Sequence, residues 1–257
     1  MIFRIKLAIL FYLFFINLSC FAQKESIKFG SLGIKNGLSQ SSVNDIVEDK
    51  KGFLWFATQD GLNRYDGYKF VIFKHNPSDS NSISDNFINC LFLDKQGNLW
   101  AGTEGGLNKY NSDMENFTFF PLNSSKSNSL SHHIIKDIAE DGNGNLWIAT
   151  MENGLKVIEI KDKKVTVFKH NENINSLIND NVLSLITDRD GNIWIGTEGE
   201  GINKYDIKTK QLTAYHNRET NKELPYSISN LCLDVNGKIW IGAMNGVFMF
   251  NPNKYSF

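Results

Sequence analysis

The five tryptophans of this 257-residue chain stand in one register: Trp55, Trp100, Trp147, Trp194 and Trp240, separated by 45, 47, 47 and 46 residues. Six positions before each stands an aspartate: Asp49, Asp94, Asp141, Asp188 and Asp234. Three before each stands a glycine: Gly52, Gly97, Gly144, Gly191 and Gly237. Three after come Thr58, Thr103, Thr150 and Thr197, with Ala243 the one departure. A period of this length marks a supersecondary unit that buries its apolar face only against the next unit, so the repeat constrains the fold before any single motif does.

Within each unit the apolar spacing is that of strands. A short apolar segment (Val43–Val47, Ile88–Leu93, Ile135–Ala139, Val182–Ile186, Ile228–Leu233) precedes each Asp-x-x-Gly. That tetrad reads as a tight turn, the aspartate capping it and the glycine taking a positive φ. A tryptophan strand such as "NLWAGT" follows, then a strand such as "GLNKY", then an aromatic or β-branched run such as "FVIFKH". Four short strands in every 45 to 47 residues predict an all-β fold, a β-propeller of about five four-stranded blades. The blades fall near 37–81, 82–128, 129–175, 176–221 and 222–257. The last stops where its fourth strand would start, so the ring is either five-bladed, with residues 27–32 as closing strand, or an open arc of a larger ring. Each indole is expected to wedge between neighbouring sheets, where burying about 200 Å² at roughly 25 cal/mol per Å² contributes several kcal/mol before entropy. The repeated residues therefore read as scaffold.

Residues 1–22 read as an export signal: Arg4 and Lys6, an apolar run from Leu7 to Leu18, and small residues up to a cleavage point after Ala22. The run is short for a bilayer span of about 20 residues. Cys20 offers a lipoprotein reading as well, which Asn17 and Leu18 fit poorly. The expected location is periplasmic, with no membrane span after cleavage. Lysine and arginine total 27 against 28 acidic residues, a balance that gives no footprint for nucleic acid. Cys90 and Cys232 fall at different offsets in different repeats and read as two small buried residues, too far apart for a disulfide.

The stretch "GLSQSSVNDIVEDKKGFLWFATQDGLNRYDGYKF" (Gly37 to Phe70) and its four echoes resemble the two-component regulator propeller repeat. The resemblance implies the periplasmic sensor region of a hybrid histidine kinase, recognising oligosaccharides released from a polysaccharide. The kinase and other output domains of such sensors do not follow Phe257, so the chain reads as a truncated product or fragment whose kinase activity, if any, would belong to absent domains. Partners implied are an oligosaccharide, a sensor domain or a second copy. A protein-interaction scaffold is the alternative reading.

Turns between second and third strands and loops between blades emerge on one face, where the units stop resembling one another. Gln59, Asp60, Glu104, Glu152, Glu198 and Glu200 stand in those turns as candidate ligand-binding residues, able to bond sugar hydroxyls. A propeller lyase or hydrolase would need two carboxyls roughly 5 to 9.5 Å apart, and nothing singles out such a pair. No catalytic residue, cofactor or metal site is expected. His75, His170 and His216 end fourth strands on separate blades, too distant to share an ion, and His132-His133 is a lone pair. "DRDGN" (Asp188 to Asn192) aligns with the ordinary turn and lacks the distal glutamate of a calcium loop.

Overall fold

The structure, a computed structural model, describes residues 29–121, 133–162, 164–172, 175–199, 201–215, 224–252 and 254. All its strands lie in the compact unit Gly33–Phe257. The first sheet is β1 (Val43–Glu48), β2 (Leu54–Thr58), β3 (Gly61–Tyr65) and β4 (Phe70–Phe73). The second is β5 (Ile88–Leu93), β6 (Leu99–Thr103), β7 (Gly106–Asn111) and β8 (Asn116–Phe120). The third is β9 (Ile135–Glu140), β10 (Leu146–Thr150), β11 (Leu155–Glu159) and β12 (Lys164–Phe168). The fourth is β13 (Val182–Thr187), β14 (Ile193–Thr197), β15 (Ile202–Asp206) and β16 (Gln211–Tyr215), and the fifth has three strands, β17 (Ile228–Leu233), β18 (Ile239–Ala243) and β19 (Gly246–Phe250).

Every sheet is an antiparallel meander in sequence order, and the first strands follow one another in contact, β1 beside β5, then β9, β13 and β17. This is the expected propeller of five blades. Residues 1–22, read as the signal, lie outside the described residues. Of the stretch 27–32, residues 27 and 28 also lie outside them, and 29–32 form no strand.

Each junction between sheets is filled by one indole. Trp147 lies in a cluster with Ala149 and Leu155 of its own sheet and Val182, Leu185 and Ile195 of the next. Its ring stacks on Phe168 at 5.8 Å and meets Tyr205 of the fourth sheet at 4.5 Å. Trp55, Trp100 and Trp194 repeat this at the other three junctions. These four side chains are at most 1% exposed, whereas Trp240 is 45% exposed. The expectation that all five indoles are wedges therefore holds for four. The fifth sheet leaves this face open, since no described strand packs on it.

Cys232 pairs with Trp240 across β17 and β18 and is exposed with it, whereas Cys90 is buried; both thiols are free. The expectation of two buried cysteines thus fails for Cys232, for the same reason: the face of its sheet that carries Trp240 has no described neighbour. Burial, with the Asp137 and Asp45 carboxylates nearby, pushes the Cys90 thiol well above its ordinary range.

The inner strands carry a feature that periodicity did not disclose. All five first strands change register against their partners at the same place, between Val43 and Asp45, Ile88 and Cys90, Val182 and Ser184, Ile228 and Asn230, and opposite Ala149 and Thr150. A bulge re-aims the side chain beside it, and here it turns that side chain onto the next inner strand. Asp45 accepts the Leu91 N–H at 2.7 Å, Asp137 the Leu185 N–H at 2.8 Å, and the Ser184 hydroxyl the Leu231 N–H at 3.1 Å.

Burial is the main cause that raises the Asp137 carboxyl to about 6, against the bonds from Leu185 and Ile138 that lower it. Between about pH 4 and pH 6 the native carboxyl keeps a proton that the unfolded chain has released, so this group's contribution is full below pH 4 and is lost as the pH rises to 6. Asp137→Asn removes that dependence. Its stability relative to the parent is expected to rise by about 2 kcal/mol between pH 4 and pH 7.5, measured by urea unfolding. A difference that does not change with pH contradicts the assignment.

Candidate functional site

The face carrying the β2–β3, β6–β7, β10–β11 and β14–β15 turns is built on a buried polar frame. Thr58 donates its hydroxyl to the Gly61 carbonyl at 2.8 Å and lies 3.0 Å from the Ser39 hydroxyl. Asn63, on β3, accepts the Ser39 N–H at 2.9 Å and donates to the Ser39 hydroxyl at 2.8 Å. The second repeat has the same set with Thr103, Ser84 and Asn108. These threonines and asparagines are fully buried, and the net worth of each such bond is about 1 kcal/mol. In the first two repeats the serine upstream of the first strand, the threonine after the tryptophan and the asparagine of "GLN" are thus one device that holds the turn to the segment leading into its own blade. Backbone bonds complete the join: the Gly61 N–H donates to the Asn86 carbonyl at 2.7 Å and the Glu104 N–H to Phe87 at 3.1 Å.

The third repeat departs from this frame. Lys156 stands where the first, second and fourth repeats have Asn63, Asn108 and Asn203, and its Nζ lies 2.9 Å from Nε2 of His133. Both are buried, and burial lowers His133 to about 4 and Lys156 to about 8. The imidazole is therefore neutral at pH 7 and accepts from the ammonium.

On this frame stand the six expected residues. Gln59 and Glu104 are exposed. Asp60 is clamped by Lys74, whose Nζ is 2.8 Å from both carboxylate oxygens. Glu152 is exposed at a left-handed φ of 62°, its N–H donating to Asn181 Oδ1 at 2.7 Å. Glu198 accepts from the Asn181 amide, so Asn181 bridges the third and fourth turns. Glu200 lies outside the described residues. Asp60 and Glu104 share no bond with that pair or with each other.

The histidines at the ends of the fourth strands take a structural part: Nδ1 of His75 is 2.8 Å from the Ile83 carbonyl, and Nδ1 of His170 is 2.7 Å from that of Leu177. His132 and His216 lie outside the described residues. No group of three or more metal-ligating side chains occurs among the described residues, and none of their helices is long and apolar enough to cross a membrane.

At the other end of the strands, beside the Asp-x-x-Gly turns, a cleft of about 530 Å³ opens between the first and second sheets, lined by Phe53, Arg64 and Tyr110 among others. The sequence reading passed over it. Its signal was present: Phe53 stands where the next three repeats have Asn98, Asn145 and Asn192.

A family model described as "Two component regulator propeller" matches residues 37–60, 82–105, 129–152 and 176–199. A 68-residue stretch is 50% identical to Histidine kinase P4 of Formosa agariphila, covering 26% of this chain and 5% of that protein. Among solved structures, an extracellular domain of B. thetaiotaomicron assigned to the hybrid two component system BT3049 superposes with a TM-score of 0.74 at 29% identity, over 89% of this chain and 31% of that one. Another from that organism, assigned to the one component system BT4673, gives 0.70 at 26% identity, over 89% and 33%. The chain thus spans about a third of the length of these structures. Each matched segment holds the first two strands of one blade, so the chain carries the two-component regulator propeller repeat in four of its five blades.

Proposed function

We propose that this chain is the ligand-recognition propeller of an exported sensor of the hybrid two-component kind, and that it binds an oligosaccharide on the face carrying Asp60, Glu104, Glu152 and Glu198. One observation carries the reading. A buried polar frame, threonine, serine and asparagine in the first two repeats and lysine with histidine in the third, supports turns whose exposed residues differ from blade to blade, which is how a scaffold presents a site. Carboxylates and amides at this density match the hydroxyls of a sugar chain. The similarity to the extracellular domain of a hybrid two component system supports the sensor role. Binding without turnover is the activity proposed, any phosphotransfer being the work of other domains.

Calorimetry against a panel of neutral and acidic glycan fragments tests this. Heat of binding is expected for at least one fragment, with affinity reduced about tenfold by Glu104→Gln combined with Asp60→Asn, the loss of two bonds to charged acceptors. No heat above background from any fragment overturns the sugar reading.

A further inference from the structure

The cleft between the first and second sheets differs from the other junctions in three connected ways. The first is its wall. In the second, third and fourth repeats the residue two before the tryptophan is an asparagine whose amide donates to its own turn aspartate at 2.7, 2.9 and 3.0 Å. In the first repeat that residue is Phe53, a partly buried ring lining the cleft with Tyr110.

The second is its cation. Arg64 lies with its guanidinium 5.0 Å from the centre of the Phe53 ring and 5.7 Å from Trp55. Its Nη1 donates to Tyr110 Oη at 3.0 Å and pairs with Glu115 at 2.8 Å. A guanidinium has five N–H donors. The remaining three, on Nε and Nη2, have no protein partner among the described residues, although the side chain is only 14% exposed. Arg64 itself lines the cleft, which places these donors at its wall.

The third is its charge. Lys50 and Lys51 stand at the rim, and Lys50 crosses the second repeat's turn, its Nζ bonded to the Lys95 carbonyl at 3.2 Å. That crossing needs Gly97, where an added Cβ would come within 2.7 Å of the lysine chain. Against Lys50, Lys51 and Arg64 stand two carboxylates, Glu115 and Asp49, the latter accepting the N–H groups of Lys51 and Phe53 and the Trp55 indole. The balance in the cleft is positive.

An aromatic wall, an Arg donor set aimed inward and two rim lysines suit a ring with an apolar face and a carboxylate or sulfate, and Asn98 and Ser112 on the same lining suit its hydroxyls. We infer that this cleft binds an acidic sugar residue, its anionic group on Arg64 and Lys51 and its ring against Phe53 and Tyr110. The site lies at the opposite end of the strands from the turns assigned above and does not depend on them.

The test uses the full chain with trigalacturonate, its neutral counterpart maltotriose, and glutarate as a carboxylate without a ring, followed by calorimetry and by the Trp55 indole N–H signal in NMR. Trigalacturonate is expected to shift the Trp55 signal and to bind at least tenfold more tightly than the other two probes. Arg64→Met, which installs the residue the fifth repeat has opposite Trp240, is expected to weaken it at least tenfold. Phe53→Asn, the residue of three other repeats, should weaken it about threefold. Lys51→Gln, an exposed change to the second repeat's residue, should weaken it about threefold and keeps the test decisive if Arg64→Met fails to fold. Lys164→Gln, an exposed change on the outer strand of the third sheet, should leave it unchanged. The inference is overturned if trigalacturonate does not bind, if maltotriose or glutarate binds as well, or if the Lys51 and Phe53 variants bind like the parent. Loss with Glu104→Gln alone would place the ligand on the other face.

Discussion

Trp147→Ala is expected to destabilise the chain by about 4 kcal/mol, and Trp240→Ala by about 1 kcal/mol, although the two residues hold the same place in the repeat. The difference comes from the neighbour. Trp147 is 1% exposed in a cluster drawn from two sheets, and deleting it removes both the transfer energy and the stacking on Phe168 and Tyr205. Its loss also leaves a cavity that two rigid sheets cannot close. Trp240 is 45% exposed, so truncation leaves no enclosed void. Urea midpoints of the two variants measure this, and equal losses would mean that the fifth indole is also enclosed.

Asp141→Ala is the second large effect, with an expected cost of about 4 kcal/mol. The carboxylate is 1% exposed. It accepts the N–H groups of Asn143 and Asn145 at 2.8 and 3.0 Å, the Asn145 amide at 2.9 Å and the Trp147 indole at 3.0 Å. A hydrogen bond to a charged group contributes about 1.5 to 3 kcal/mol, and a buried donor left without its acceptor costs about 1 to 3. Water can replace the carboxylate for the turn amides but not for the buried indole. Asp141→Asn should fall between parent and alanine, since one amide oxygen can still accept while the nitrogen faces donors. Thermal unfolding of the three proteins orders them, and an alanine variant as stable as the parent would contradict the coupling of turn to wedge.

That coupling shows where the sequence was legible and where it was not. Strand positions followed from the tryptophan register, because alternation and turn residues are local properties of the chain. The turn aspartate and the indole were both identified from their fixed spacing, yet as separate devices, the one capping and the other packing. Only the geometry of the hairpin brings Asp141 Oδ2 to the Trp147 nitrogen. The Thr-Ser-Asn frame was hidden for a similar reason: Ser39 and Asn63 are 24 residues apart and meet only when the turn folds onto the preceding loop.

Contacts between blades were the least legible. Cys232 and Trp240 read as buried because their counterparts are, but burial is supplied by the next sheet, which no local pattern encodes. Phe53 breaks the repeat but went unread, and its consequence depends on Tyr110, from the next repeat, packing beside Arg64. Topology put the candidate carboxylates in the turns between second and third strands, where the structure has Asp60, Glu104, Glu152 and Glu198. Their partners, Lys74 for Asp60 and Asn181 for Glu198, belong to other strands and loops.

The most direct test of the account is hydrogen exchange at the five indole nitrogens, followed by NMR in deuterated water. Four signals, from Trp55, Trp100, Trp147 and Trp194, are expected to persist at least a hundredfold longer than that of Trp240, since their exchange requires a sheet junction to open. Five signals that decay together, fast or slow, would contradict a molecule in which four indoles are wedges between sheets and the fifth lies on an open face.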